Sequence, residues 1–159
     1  MSPWVVVLMM VAGGAMMSCQ APINAALRNH VGVFESSLIS FTVGTLALIL
    51  IVLIWGKGSV GAIRNVAWWH LLGGLIGAIF VTATLLAAPR IGVTQMVMAT
   101  LAGQMVAAML IDRYGWLGIA PKPIELTRVA GVALLVASVV LINWKEVKGF
   151  ISMLTDRSV

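Results

Sequence analysis

Charge is what this sequence has least of. Its 159 residues include five Asp and Glu and ten Lys and Arg, 9% in all, where a soluble domain carries about a quarter. That scarcity excludes a disordered chain and an ordinary soluble enzyme. Cysteine occurs once, so no internal disulfide can form. Histidine occurs twice, at His30 and His70, and no cluster of His, Cys and carboxylates has metal-ligand spacing. No Ser/His/Asp or Cys/His constellation is visible. The chain therefore reads as not an enzyme, with no metal and no cofactor.

What is present is apolar. Hydrophobic residues make up 61% of the chain, and the mean hydropathy is +1.08. This composition fits an all-α, multi-pass membrane protein with the lipid bilayer as its first partner. The net charge of +5 and an isoelectric point near 10.2 would suggest nucleic acid in a soluble protein. Here the few charges fall in loops, where basic residues meet lipid headgroups, and no nucleic-acid partner is expected.

A helix needs about 20 apolar residues to cross a hydrocarbon core of about 30 Å. Five stretches qualify, at about 5–27, 36–55, 68–88, 93–111 and 129–144, the last being the shortest. Trp4, Trp55, Trp68, Trp69, Trp116 and Trp144 all fall at or just beyond a span end. Indole favours the headgroup level, where its ring is in an apolar layer and its N–H finds a polar one. Continuous apolar runs argue against barrel strands, which alternate with period two. The connections 28–35, 56–67, 89–92 and 112–128 are too short for a second domain, and 145–159 is a short tail. The whole chain, 1–159, is one membrane domain. Met16-Met17-Ser18-Cys19 faintly resembles a lipoprotein cleavage site, but no basic residue precedes it. Cys19 reads instead as a small buried packing residue.

Orientation is a tie. Lys57, Arg64, Arg113, Lys122 and Arg128 fall on the N-terminal side; Arg28, Arg90, Lys145, Lys148 and Arg157 fall on the other. Excess Lys and Arg normally marks the cytoplasmic side. The balance is either a small-number accident or a sign of dual topology, in which the chain pairs with an inverted copy of itself. Inverted repeats in transporters have that symmetry.

No span has Asp, Glu, Lys, Arg or His at its middle, which disfavours a proton relay and a voltage sensor. Neutral polarity remains. Gln20 and Asn24 are four apart and share a face of the first helix, which Met17 and Gly13 continue. Pro22 removes an amide hydrogen and frees the carbonyl of Ser18, so a kink is expected there. These residues read as a wall of a polar cavity or as packing glue between helices. Ser40 and Gln104 are further cavity candidates. Asp112, near Arg113, reads as an ion pair at headgroup level or as a gating or coupling carboxylate. Glu35 falls in the first turn of the second helix, where it caps or gates. Gly13, Gly44, Gly73, Gly77 and Gly103 read as helix-packing positions; Gly73 and Gly77 form a small-xxx-small pattern.

The residues also carry a family likeness. Asn24-Ala25-Ala26-Leu27-Arg28, Ser40-Phe41-Thr42-Val43-Gly44-Thr45 and Trp68-Trp69-His70-Leu71-Leu72-Gly73-Gly74 come first. Ala88-Pro89-Arg90-Ile91-Gly92, Gly103-Gln104, Ile111-Asp112-Arg113-Tyr114-Gly115 and Arg128-Val129-Ala130-Gly131 follow. In that order they resemble the YdcZ-type inner-membrane exporters, a five-helix branch of the drug/metabolite transporter superfamily. The resemblance implies a bacterial plasma-membrane protein with half the helices of a ten-helix inverted-repeat transporter. It implies a cavity lined by the first four helices of each half, and no defined cargo. The four-helix relatives carry an acidic residue inside helix one; this chain has none.

The reading is an inner-membrane secondary transporter subunit that exports small metabolites or drugs. It works as a homodimer, antiparallel or not, or beside a homologous five-helix chain. The alternative is a non-transporting subunit that binds a partner protein or lipid.

Overall fold

The structure is a computed structural model that describes residues 1–144, 147–149, 152 and 155. The balanced charge count includes Lys145 and Arg157, which lie outside the described residues. Five α-helices carry the described chain: α1 Pro3–Val31, α2 Val33–Trp55, α3 Leu72–Ile91, α4 Val93–Tyr114 and α5 Leu126–Ile142. No strand occurs among the described residues. α1, α2, α4 and α3 with its preceding 3₁₀ turn Trp68–Leu71 are each long and apolar enough to span a bilayer. α5 is apolar but shorter, at 17 residues.

The helix ends differ from the hydropathy boundaries. The connection read at 28–35 is a single residue, Gly32, and the turn read at 89–92 is a single residue, Gly92. Apolar runs mark where the hydrocarbon ends, whereas a helix ends where its hydrogen bonds stop. Arg28 and His30 stay in the last turn of α1, where the Arg28 charge meets the negative helix end. The Gly32 N–H still donates to the Arg28 carbonyl at 2.9 Å, and the Gly92 N–H to Ala88 at 3.0 Å. Then the backbone breaks, with φ 105°, ψ 168° at Gly32 and φ 81°, ψ 158° at Gly92. That region is open essentially to glycine alone. The chain around each break is similar: His30-Val31-Gly32-Val33 and Arg90-Ile91-Gly92-Val93.

The chain divides into two compact units, Met1–Val93 and Thr94–Val159. In the first, α1, α2 and α3 pack against one another. Their core is small and partly polar: Ala21 and Asn24 on α1, Ser36 and Ser37 on α2, Val81, Thr84, Leu85 and Ala88 on α3. Lipid tails are as apolar as leucine, so hydrophobicity cannot drive helices together in a bilayer. Close packing and hydrogen bonds do it instead. Ser36 Oγ donates to the Asn24 carbonyl at 2.9 Å, joining α2 to α1. Ser37 Oγ and Thr82 Oγ1 lie 3.0 Å apart, joining α2 to α3. Arg28 Nη1 donates to the Leu85 carbonyl at 2.6 Å, joining α1 to α3. Such bonds contribute about 0.6 kcal/mol each on average within membranes.

The Arg28 bond follows from a proline. Pro89 sits inside α3 and has no N–H, so the carbonyl four residues back, Leu85, loses its helical donor. Leu85 is fully buried, where an unpaired carbonyl would be costly. The guanidinium supplies the missing bond. In α1 the helix runs on through Pro22 to Val31.

In the second unit, the α4–α5 connection is pinned at both ends. Asp112 Oδ2 meets Arg128 Nη1 at 3.3 Å, and the Lys122 N–H donates to the Asp112 carbonyl at 2.7 Å. Gly115 closes α4 in the left-handed region at φ 67°, and Tyr114 stacks on Trp116.

Candidate functional site

Along α1, a run of positions three and four apart turns one face toward the start of α2. Met16, Cys19, Gln20, Ile23, Asn24 and Leu27 form one wall of a groove there, with Ala15 beside them; Ile39, Ser40 and Val43 form the other. The groove has a volume of about 590 Å³ and is mostly apolar. Binding sites for small molecules share this character, an apolar cleft with a few placed polar groups.

The structure brings Gln20, Asn24 and Ser40 together in this lining. Gln20 is exposed and Ser40 is half-buried, while Asn24 keeps only 5% of its surface. Among the described residues, none of these three side chains makes a hydrogen bond. The contrast with their neighbours is sharp. Ser18, Ser37, Thr42, Thr45 and Thr82 each donate to the carbonyl four residues back. That self-satisfaction is the usual fate of a hydroxyl on a helix. A carboxamide cannot satisfy all its donors and acceptors that way, and since no side-chain nitrogen or oxygen among the described residues is both sealed off and unpartnered, the Asn24 amide stays accessible. Asn24 holds its place through its backbone, by the Ser36 bond, and keeps its side chain free.

The remaining candidates lie elsewhere. Gln104 is exposed on α4, in the other unit. Asp112 is engaged by Arg128, and the recess beside them has a volume of only about 10 Å³, with Lys122 and Pro123 on its rim. Space for about one water remains there. Glu35 is in the first turn of α2 and folds its carboxylate over Gly32, filling the space that a Cβ would take. Among the glycines, a Cβ on Gly77 would lie 3.4 Å from the Phe41 ring, so α2 and α3 approach closely there. At Gly13, Gly44, Gly73 and Gly103 an added Cβ meets nothing within 4 Å. Pro22 lies off the groove, on the wall of a second cavity between α1 and α3.

One reading of the sequence changes. Cys19 is exposed and lines the groove; it is not a buried packing residue. Met16 joins Gln20 and Asn24 in the groove lining, which does not extend to Met17 or Gly13. One residue escaped the sequence reading: Arg28 counted only as a loop charge, yet it bridges α1 to α3. The signal was Pro89, since a proline inside a helix announces a carbonyl in need of a donor.

A family model described as "Putative inner membrane exporter, YdcZ" matches residues 5–141. No curated protein matches, and no solved structure does.

Proposed function

The chain belongs to this YdcZ family of inner membrane exporters, and on that premise we propose that it moves small metabolites or drugs out across the membrane as a secondary transporter. The observation that carries the reading is the groove between α1 and α2. Gln20, Asn24 and Ser40 line it with polar atoms that nothing among the described residues engages. Neutral amides and a hydroxyl suit an uncharged or zwitterionic solute, because the groove lining contains no ionisable group except the Cys19 thiol.

The working unit is a dimer of five-helix chains, with itself or a homologue. Five is odd, so two inverted chains reproduce the halves of a ten-helix transporter. The even division of Lys and Arg supports an antiparallel pair. The groove of each chain then faces a shared cavity that opens alternately to the two sides. Gln104 remains the polar candidate on α4. The Arg128 pair gives Asp112 a structural task at the α4–α5 connection, so coupling through it would require that pair to open.

The test is accumulation. Cells producing the chain are compared with cells lacking it, over a panel of labelled amino acids, sugars, nucleosides and hydrophobic dyes. Lower accumulation of at least one compound, restored by Asn24→Leu, is the expected result. Equal accumulation of every compound at matched membrane levels would remove the transport reading.

A further inference from the structure

We propose that the second cavity, between α1 and α3, binds a phosphate-type oxyanion on Arg28, with Asn29 beside it. The cavity has a volume of about 220 Å³. Its walls are Pro22, Ala25 and Ala26 on α1 and Ala88 and Pro89 on α3, with Arg28 and Asn29 as the only strongly polar side chains.

The argument begins with the charge. Arg28 is half-buried and its one hydrogen bond, to the Leu85 carbonyl, goes to a neutral group. Among the described residues it forms no ion pair; both ion pairs of the chain's described part involve Arg128. Glu35, the nearest carboxylate in sequence, folds over Gly32 instead. The end of α1 offers only a partial negative charge, about half a unit. A guanidinium held in such a place, partly out of water and without a counter-charge, is costly.

The Leu85 bond also fixes the guanidinium. It occupies Nη1 and leaves the other donors free at a cavity wall. A planar guanidinium with free donors is suited to two-point contact with a phosphate. The Asn29 amide, exposed and unbonded among the described residues, adds a neutral donor. Pro22 and Pro89 contribute no N–H, so specificity rests on Arg28 and Asn29. Arg28 follows directly on the apolar run of α1, at headgroup level. The phosphate can therefore belong to an anionic lipid or to a soluble phosphate compound.

The cavity shares no lining residue with the groove of the proposed transport path, so the two proposals fail separately. The experiment uses the full chain, purified in a neutral detergent, with thermal unfolding followed by tryptophan fluorescence. Phosphatidylglycerol is titrated in one arm, and inorganic phosphate against chloride at equal ionic strength in the other. A saturable rise in Tm with phosphatidylglycerol alone identifies a lipid headgroup; a rise with inorganic phosphate as well identifies a soluble ligand. Arg28→Gln, which keeps an amide donor for Leu85 but removes the charge, should abolish the rise, and Arg28→Lys should retain it. No saturable rise in either arm, or an equal rise in Arg28→Gln, would overturn the proposal. If Arg28→Gln does not fold, Asn29→Leu replaces it. A several-fold higher midpoint then supports the site, and an unchanged midpoint overturns it.

Discussion

Asn24 concentrates the chemistry of the groove in one side chain. The residue keeps only 5% of its surface, and its unbonded carboxamide atoms are not sealed off from that surface. A polar group placed so in the groove lining is available to a partner from outside the chain. Asn24→Leu, similar in volume and apolar, should therefore change stability by no more than about 0.5 kcal/mol while abolishing export. Denaturant unfolding in detergent reads the first effect and solute accumulation the second. A variant that loses more stability than that would make Asn24 a packing residue. Cys19, the sole cysteine, tests whether the groove holds water. A charged maleimide should label it in intact membranes, and should fail on a cysteine placed at Leu48, an exposed apolar position of α2 outside the groove lining, in a Cys19→Ser chain. The i, i+4 spacing of Gln20 and Asn24 made this face legible in the sequence. Two things were not legible: that Ser36 takes the Asn24 carbonyl and leaves its amide free, and that Ser40 comes across from α2. Both depend on how two helices are placed, which no spacing within one helix encodes.

Among the elements, the glycine junctions are the sharpest feature. Gly32 and Gly92 each hold a backbone conformation that a side chain strains by about 1–3 kcal/mol. At Gly32 the Glu35 carboxylate lies where a Cβ would go, but it is the exposed end of a flexible side chain and can swing clear. Gly32→Ala and Gly92→Ala should therefore each destabilise the chain by about 1–3 kcal/mol, and adding Glu35→Ala to Gly32→Ala should recover little. Thermal unfolding of the set measures this. A large recovery would show that Glu35 presses on the junction. The number and type of helices were legible because a continuous apolar run of bilayer length, bounded by tryptophan, suits a spanning helix and neither a strand nor a soluble core. Their ends were not, since Arg28, Asn29 and His30 are polar and still helical. The bond from Arg28 to Leu85 spans 57 positions, and only the missing N–H of Pro89 hinted at it.

For the molecule as a whole, the question is what covers its apolar surface. Leu8, Met10, Val11, Leu46, Leu50, Leu53 and Ile54 are all widely exposed. The bilayer covers some of that surface, and a second five-helix chain in the proposed dimer covers the rest. Dual insertion makes a definite forecast. Alkaline phosphatase and a fluorescent protein, fused in turn to the C-terminus, should both be active, since each reports one side of the membrane. Activity of only one reporter would fix a single orientation and remove the antiparallel homodimer. The single-glycine junctions have a consequence for how this chain can grow. A chain that crosses with each span puts Gly32 and Gly92 on one face, and the segment 56–71 on the other. New sequence is accommodated at exposed loops that can lengthen without breaking helices. An epitope of about ten residues inserted near Gly58 should be tolerated, whereas the same insertion at Gly32 should block accumulation of the protein. The connection 56–71 is open to added sequence, whereas the two single-residue junctions are closed to it.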